Sequence, residues 1–363
     1  AASMRSISAI SAPSPTIILF LASRQILALR VHYNGKRSSR GAAMPVTNSK
    51  SPTEKKTASK HSAEKSPASP WRLRQAAGLQ ILELLPLTKY DWLVHGFSTR
   101  PGGASILESP QPQRPRAEKV LNLGFTDWDR RERVEENRRR FAAALGHAKA
   151  PLITLRQIHS DITHVVSKLP ADSPKGDAVA TSAPGLLLSI QTADCIPILL
   201  VDPRHRAVAA VHAGWRGTLA RIAAKMLGRM QMEFSTRPAD VLAAIGPGIS
   251  QCCYEVGPDV VKEFAAQFPQ AKSWFDGPFD ALASGEDPNP LPWLTMMPPG
   301  HEPPPLRCRL DLKAANAALL IETGVSPKNI FVTNLCTACR TDLFFSYRRE
   351  HRTGRLLSVI TVL

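Results

Sequence analysis

The chain has 363 residues, 43% of them hydrophobic, which is enough to bury one large core or two modest ones. Its six cysteines are too sparse for a disulfide framework, which excludes the small disulfide-rich secreted class and fits a reducing compartment. The formal net charge is +16, but residues 1–75 alone carry +11, so the basic balance is mainly a property of the N-terminal segment.

Residues 1–76 are predicted to form a disordered basic tail rich in Ser and Pro, a solvated extension rather than a binding surface. We therefore expect no nucleic-acid partner and no membrane partner. Thr16 to Ala22 is the only strongly apolar run near the start, and it is too short to span a bilayer. No convincing signal-cleavage site follows, so we expect a cytoplasmic location, with Met44 as a candidate true start.

Order is predicted to begin near Leu79, and residues 77–363 are expected to form one domain. A Pro/Gly-rich loop is predicted over Arg100–Lys119, followed by a helix over Arg130–Leu145 with an apolar stripe. Six short apolar runs bounded by Gly, Pro or Asp then predict buried strands. They are Leu152–Leu155, Ile162–Val166, Leu186–Ile190, Ile196–Val201, Ala207–Val211 and Val241–Ile245.

The C-terminal part mixes helices and strands. The helical spacing of apolar residues predicts helices over Leu219–Met230, Asp259–Phe268 and Leu312–Thr323. A proline-dense stretch, Asp276–Leu306, is predicted to be a surface loop insertion. Further strands are predicted at Ile330–Thr333, Leu343–Ser346 and Leu356–Val362. Because strands and helices do not alternate strictly, the fold class predicted is a single α/β or α+β domain.

Three side chains combine as candidate metal ligands: His159, Cys195 and His212. Two imidazoles and one thiolate can supply three ligands of a tetrahedral zinc ion, with the fourth position open for water or substrate. Cys195 precedes one predicted strand and His212 ends another, and strand ends present side chains to clefts. The intervals of 36 and 17 residues match no compact metal motif, so a structural cysteine beside two unrelated histidines is an equal alternative.

The segment from His212 to Thr218 contains two glycines and precedes a predicted helix. Free N–H groups at the helix start, with Arg216 beside them, would form a phosphate site, although an ordinary strand–turn–helix connection is equally consistent. Asp177 and Asp194 are expected near the trio, where either can orient a ligand histidine or act as a general base. Structural or incidental roles are favoured for Cys252, Cys253, Cys336 and Cys339.

Seven motifs occur in order from about Val94 to the C-terminus. They are Gln157-Ile158-His159, Gly176-Asp177-Ala178, Thr192-Ala193-Asp194-Cys195-Ile196-Pro197, His212-Ala213-Gly214-Trp215-Arg216-Gly217, Ala244-Ile245-Gly246-Pro247-Gly248-Ile249, Cys253-Tyr254-Glu255-Val256-Gly257 and Phe344-Phe345-Ser346-Tyr347-Arg348-Arg349. Together they resemble the YfiH family, the laccase-domain proteins also described as purine nucleoside phosphorylases. The resemblance implies a compact fold with layers in the order α-β-β-α and a zinc ion held by His159, Cys195 and His212.

The same resemblance implies phosphorolysis of adenosine, inosine and S-methyl-5′-thioadenosine, and deamination of adenosine at the same site. The partners expected are therefore purine nucleosides and phosphate. Arg216, Arg100 and Arg348 are the candidate phosphate-binding side chains, Gln157 is a further candidate substrate contact, and Asp177 is the candidate proton shuttle. Zinc is the expected ion with copper as the alternative, and the chain is expected to be a monomer or a small homo-oligomer.

Three other functions compete with this hypothesis. A copper-dependent polyphenol oxidase is suggested by the family's older name and by His/Cys ligation, but a multicopper site needs far more paired histidines than the ten present. A cysteine hydrolase would use Cys195 as nucleophile and His212 as base. A non-catalytic module that senses nucleosides would use the same pocket without turnover.

Overall fold

The computed structural model describes residues 69–108, 117–284 and 307–363, and these belong to one compact unit that spans residues 65–363. Two six-stranded sheets dominate it. In spatial order, the first sheet consists of β1 (Trp71–Ala76), β2 (Leu79–Leu84), β3 (Leu93–Ser98), β17 (Leu356–Val362), β9 (Leu187–Thr192) and β6 (Leu152–Ile153). The second consists of β16 (Ile330–Val332), β12 (Leu242–Ile245), β10 (Ile196–Asp202), β11 (Ala207–Ala213), β8 (Ala178–Thr181) and β7 (Thr163–Val165).

Two small sheets and seven helices complete the described part of the chain. The small sheets are the hairpin β4 (Pro101–Glu108) with β5 (Ala117–Val120), and the group β13 (Glu255–Val256), β15 (Cys308–Leu310) and β14 (Phe275–Asp276). The helices are α1 (Arg131–Ala144), α2 (Trp215–Leu219), α3 (Ile222–Phe234), α4 (Pro258–Gln267), α5 (Phe279–Ser284), α6 (Leu312–Glu322) and α7 (Tyr347–Glu350). Within the described ranges, no helix has both the length and the apolar character that crossing a membrane requires.

The core is layered because both sheets are apolar on both faces. Between the sheets, side chains such as Phe97, Ile190 and Leu199 form one buried cluster. The outer face of the first sheet packs on α1 through residues that include Phe141. The outer face of the second sheet packs on α3, α4 and α6, with Met226 among the buried residues. The layers therefore run α-β-β-α, which confirms the predicted fold class.

Most predicted elements in the middle of the chain are confirmed, but the predicted start of order at Leu79 is wrong. Residues 71–76 form β1, which pairs antiparallel with β2. An edge strand of an antiparallel sheet can leave one face in solvent, so its sequence lacks the continuous apolar run by which the other strands were predicted. The boundary of the tail at residue 76 is therefore too late. Residues 1–68 lie outside the described part of the chain.

The loop predicted over Arg100–Lys119 is also wrong where the structure describes it, since β4 and β5 form a hairpin there. The glycines that suggested a loop are required by close strand approach. A Cβ at Gly103 would lie 2.0 Å from the carbonyl oxygen of Val120. Residues 109–116 of the predicted loop lie outside the described ranges.

Two further predictions near the C-terminus need correction. The insertion predicted at Asp276–Leu306 begins with the end of β14 and with α5, which buries Phe279 and Leu282; residues 285–306 lie outside the described ranges. The strand predicted at Leu343–Ser346 is a turn, because the N–H groups of Leu343 and Phe344 both donate to the carbonyl of Arg340. The apolar run is explained by burial of Phe344 and Phe345 in a local cluster.

His95 makes the stability of the first sheet dependent on pH. Its buried ring accepts a hydrogen bond at Nε2 from the N–H of Leu84, at 2.9 Å, and burial lowers its pKa to about 4. The unfolded chain takes up this proton first as the pH falls below about 6.5, so stability is complete above that pH and declines toward pH 4. We expect a loss of about 2 kcal/mol between pH 7.5 and pH 5 from this group.

Urea unfolding at these two pH values tests the expectation. In His95→Gln the amide oxygen can accept the same hydrogen bond but does not titrate. The difference in unfolding free energy between pH 7.5 and pH 5 should therefore be smaller by about 2 kcal/mol in this variant than in the wild type. An equally steep pH dependence in the variant would contradict the assignment.

Candidate active site

The register of the second sheet brings the candidate ligands together. In the β10–β11 hairpin Pro197 pairs with His212 and Ile196 with Ala213, so Cys195 reaches the same end of the sheet as His212. On the other side of β11, Ala178 pairs with Val211, which sets Asp177 beside His212. Because β7 runs parallel to β8, the segment before β7, which contains His159, also lies at this end.

The three predicted ligand side chains converge. Donor atoms of His159, Cys195 and His212 all lie within 4.8 Å of one another, and the two imidazole rings meet edge to face with centroids 5.0 Å apart. His212 is buried, Cys195 is half-buried and His159 is exposed, so the trio sits at an open surface. A Cβ at Gly214 would lie 3.0 Å from Cys195 Sγ and 3.3 Å from His159 Cδ2, so any larger residue here would press on two of the three ligands.

Asp177 is hydrogen-bonded to two of the three candidate ligand residues, His159 and His212. Its carboxylate is fully buried and accepts a hydrogen bond from Nδ1 of His212 at 2.9 Å. It also accepts from the N–H groups of Ile158, His159 and Ser160 and from the Ser160 hydroxyl. This wraps the loop around the carboxylate and holds His159 at φ +58, in the left-handed region. With Nδ1 bonded to Asp177, the Nε2 atom of His212 remains as its free ligand atom.

The charges of this cluster reinforce one another. Burial raises the pKa of the Cys195 thiol, but His212 and His159 outweigh it and bring that pKa to about 6. Burial lowers the pKa of His212, yet the Cys195 sulfur and Asp177 together raise it to about 9. Burial also opposes ionisation of Asp177, and its hydrogen bonds to His212 and Ser160 hold its pKa below the usual range. The sulfur is therefore poised as a thiolate, the form that binds metal ions.

The residues fit a metal ion of borderline softness. One thiolate and two imidazoles are a donor set typical of zinc, and three protein ligands leave a coordination position open. A buried carboxylate that accepts a hydrogen bond from the second nitrogen of a ligand histidine is the usual support of such a ligand. The absence of any side chain at Gly214 preserves the space in front of the sulfur.

Two of the predicted phosphate-binding arginines have backbones close to the trio: Arg216 is two residues after Gly214, and the N–H of Arg348 donates to Asp194, the neighbour of Cys195. The guanidinium of Arg216 lies 4.3 Å from the Trp215 ring centroid, and that of Arg348 lies 5.2 Å from the Tyr254 ring centroid. Both side chains are exposed. Burial and the nearby Cys195 sulfur raise the pKa of Tyr254, while Arg348 and Arg216 oppose the shift, which shows that these groups share one electrostatic neighbourhood.

Arg100, the third predicted phosphate ligand, is held elsewhere. Its guanidinium is buried and bonded to Glu118 and Glu350, with Nη1 2.6 Å from the Glu350 carboxylate, and it packs over Phe345. These two ion pairs neutralise the charge of Arg100. Its side chain therefore joins the β4–β5 hairpin to the C-terminal segment and does not serve as a phosphate ligand.

Gln157 differs from its predicted role, and Asp177 matches one of the two roles predicted for it. Gln157 donates to the carbonyl of Gln191 and accepts from the N–H of the same residue, so its amide anchors the loop to β9. Asp177 is enclosed by donors and accepts a hydrogen bond from the His212 ring, which matches the predicted orientation of a ligand histidine and not the predicted proton shuttle. The helix expected after Thr218 begins instead at Trp215, and the N–H of Thr218 donates to the carbonyl of Gly214.

Two features of this region were missed by the sequence interpretation. Asp194, predicted to orient a ligand histidine or to act as a general base, instead accepts hydrogen bonds from the Thr337 hydroxyl and the N–H of Arg348; at φ +93 it ties the residue before Cys195 to distant segments. The four cysteines for which structural or incidental roles were predicted converge in a second cluster: Cys252, Cys253, Cys336 and Cys339. The paired spacing within Cys336–Cys339 was the available signal, but nothing local indicated its partners.

Comparison with known proteins identifies the family and the fold. The family model described as multi-copper polyphenol oxidoreductase laccase matches residues 94–363. Among solved structures, the hypothetical protein YfiH of Bacillus licheniformis superposes with a TM-score of 0.64 at 28% identity, covering 82% of this chain and 100% of that chain.

Curated relatives carry the names of purine-nucleoside enzymes. A purine nucleoside phosphorylase of Deinococcus radiodurans is 39% identical over 282 residues, 76% of this chain and 92% of that protein. The purine nucleoside phosphorylase YlmD of Geobacillus stearothermophilus is 34% identical over 277 residues, 74% and 89% of the two chains. Adenosine deaminase RL5, from an unknown prokaryotic organism, is 32% identical over 277 residues, 74% and 93%.

Proposed function

This chain belongs to the YfiH family of laccase-domain proteins, and on that premise we propose that it is a zinc-dependent purine nucleoside phosphorylase that also deaminates adenosine. Its substrates are purine nucleosides (adenosine, inosine and S-methyl-5′-thioadenosine) with phosphate as the nucleophile. The names of the relatives support both activities. The thiolate ligand persists in reducing surroundings, so we propose the cytoplasm as its compartment.

The observation that carries the proposal is the convergence of His159, Cys195 and His212 around a space kept clear by Gly214. These three residues would hold the zinc ion. When bound, zinc supplies Lewis acidity that polarises an oxygen of the substrate or of water. Asp177 keeps the Nδ1 proton of His212 in place, which directs the Nε2 lone pair toward the site.

Phosphorolysis breaks the glycosidic C1′–N bond of the nucleoside and forms a C1′–O bond to phosphate, so the anion has to be aligned with the anomeric carbon. Arg216 and Arg348 are exposed cations whose backbones lie close to the trio, and we assign them to the phosphate. Their charge also opposes repulsion between the phosphate and the Cys195 thiolate. The N–H of Arg348 bonds to Asp194, which fixes that arginine relative to the strand that carries the thiolate.

A copper oxidase is less consistent with the donor groups, although the family description carries that name. In the described ranges the residues able to hold a metal form two groups, one of two histidines with a cysteine and one of four cysteines. A multicopper centre would need several histidine-rich sites in mutual reach.

A cysteine hydrolase is the second candidate, and a specific observation favours it. Cys195, His212 and Asp177 form a chain of contacts in which the carboxylate orients the histidine and the histidine lowers the pKa of the thiol. His159 distinguishes the two functions, because a hydrolase has no need of a second imidazole against the sulfur. Alkylation of Cys195 that zinc prevents and a nucleoside does not would favour the metal site.

Product analysis of adenosine turnover tests the proposal. With zinc-loaded protein and phosphate we expect adenine and ribose 1-phosphate, and without phosphate we expect inosine alone, because water then is the available nucleophile. Mass spectrometry of both reactions, with Arg216→Ala as a matched variant, separates the steps. The variant should raise the KM for phosphate and leave the deamination rate nearly unchanged. Absence of both products at saturating substrate would refute the proposal.

A further inference from the structure

The cluster formed by Cys252, Cys253, Cys336 and Cys339 has the dimensions of a metal centre. The sulfur–sulfur distances are 3.7 Å from Cys252 to Cys253, 3.6 Å from Cys252 to Cys339 and 3.4 Å from Cys253 to Cys339. All four sulfur atoms lie within 4.8 Å of one another. Zinc–sulfur bonds of about 2.3 Å in a tetrahedron separate the ligand sulfurs by about 3.8 Å, close to these values.

Sheet pairing brings the two halves of the cluster together. β12 and β16 run side by side in parallel, and their pairing continues past the strand ends as a bridge between Gly248 and Cys336. A turn follows on each side. In the first, the N–H groups of Cys253 and Tyr254 donate to the carbonyl of Ser250; in the second, the N–H of Arg340 donates to the carbonyl of Cys336. Both turns aim their sulfurs at one point, and the N–H of Ser250 donates to Cys336 Sγ at 3.3 Å.

Positive charge exceeds negative charge beside two of the four sulfurs. Cys252 and Cys253 border a cavity of about 320 Å³ that is also lined by three arginines, Arg309, Arg348 and Arg349, and by one carboxylate, Glu255. Lys313 is buried nearby, and its ammonium donates to three neutral oxygens: the Ser250 hydroxyl and the carbonyls of Thr333 and Leu335. A buried cation needs a compensating anion, and a zinc ion with four thiolates carries a net charge of −2.

We propose that these four cysteines form a second metal centre, a closed site for one structural zinc ion. Four protein ligands leave no open position, so the site has no catalytic role of its own. A disulfide between Cys252 and Cys253 is disfavoured, because Cα atoms of adjacent residues are about 3.8 Å apart and disulfides usually need about 4.4–6.8 Å. The ion would order the turn at Cys336–Cys339, whose Thr337 hydroxyl donates to Asp194 beside Cys195.

Metal counting on the full chain tests this site separately from the proposed function. Protein prepared with zinc should hold two ions per chain by elemental analysis. The double variant Cys336→Ser/Cys339→Ser should hold one, and so should His159→Ala/His212→Ala, which lacks two ligands of the other centre. Cys308→Ser, which changes a buried cysteine outside both clusters, should still hold two.

Cobalt provides a readout that depends on sulfur ligation and not on activity. In the His159→Ala/His212→Ala variant, one Co²⁺ should produce the intense sulfur-to-metal charge-transfer absorption of a tetrathiolate site, and this variant decides the question even if the serine variant fails to fold. One zinc ion in the wild type, unchanged by the serine substitutions, would overturn the proposal. So would metal-free protein with a disulfide from Cys339 to Cys252 or Cys253, identified by peptide mass spectrometry.

Discussion

Replacing Cys195 by serine is expected to remove both zinc from the trio and enzymatic turnover. Serine keeps the size of the side chain but replaces the thiolate, which is the anionic ligand among the three. Structural zinc sites bind with about 10–16 kcal/mol over four ligands, so one ligand is worth about 2.5–4 kcal/mol, and zinc affinity should fall by about 70- to 900-fold. Loss of Lewis acidity worth several kcal/mol should lower kcat/KM by about 1,000-fold or more.

Calorimetric zinc titration and the adenosine assay measure the two effects. The matched control is Cys308→Ser, which changes a fully buried thiol of β15 and should leave zinc at the trio and turnover intact. A Cys195→Ser protein that turns over adenosine at the wild-type rate without zinc would refute the metal assignment and with it the proposed mechanism.

Replacing Asp177 by asparagine is expected to weaken both the site and the fold. In the wild type the Asp177 carboxylate accepts hydrogen bonds from three backbone N–H groups, a hydroxyl and the His212 ring. In the variant the amide nitrogen, itself a donor, would face some of these donors. Loss of a support of this kind costs about 10–100-fold in metal affinity or activity. Unsatisfied buried donors should also cost about 3 kcal/mol of unfolding free energy. Zinc titration and urea unfolding on the same preparation separate these effects.

Asp202→Asn is the matched control for this variant. Asp202 is equally buried and accepts from Nδ1 of His205 at 2.8 Å and from two backbone N–H groups, but it lies at the opposite end of β10 from Cys195. It should lose comparable stability and keep its zinc affinity. Equal zinc affinity in Asp177→Asn and Asp202→Asn would show that Asp177 does not support a ligand.

Some strands could be predicted from the sequence and others could not. Apolar runs with sharp boundaries predicted β9, β10 and β11, because fully buried strands have continuous apolar sequences. The β4–β5 hairpin was missed because Gly103, a usual sign of a loop, is required there by the approach of Val120. The strand predicted at Leu343–Ser346 was wrong for the opposite reason. Its apolar residues fill a local cluster, and the N–H groups of Leu343 and Phe344 donate to the carbonyl of Arg340 in a turn.

Substrate-binding roles were the least predictable part of the site. Arg100 and Arg348 were both predicted phosphate ligands, and the sequence offers no means of separating them. Arg100 is neutralised by Glu118 and Glu350, which lie 18 and 250 residues away along the chain. Arg348 stays exposed beside Tyr254. The pairing of a charge depends on which segments meet, and motif spacing does not contain that information.

The sequence by itself determined a single domain of mixed α and β structure, two histidines and one cysteine as candidate metal ligands, and the motifs that resemble the family; the α-β-β-α layers were implied by that resemblance. Periodicity, burial and ligand chemistry are properties of short segments, so they can be read locally. Only the tertiary structure decided that Asp177 is hydrogen-bonded to His212, that Arg100 is neutralised by two ion pairs, and that the cysteines of the second cluster lie together. These depend on the register of strands distant in the chain, where a shift of one residue would turn each side chain to the other face of the sheet.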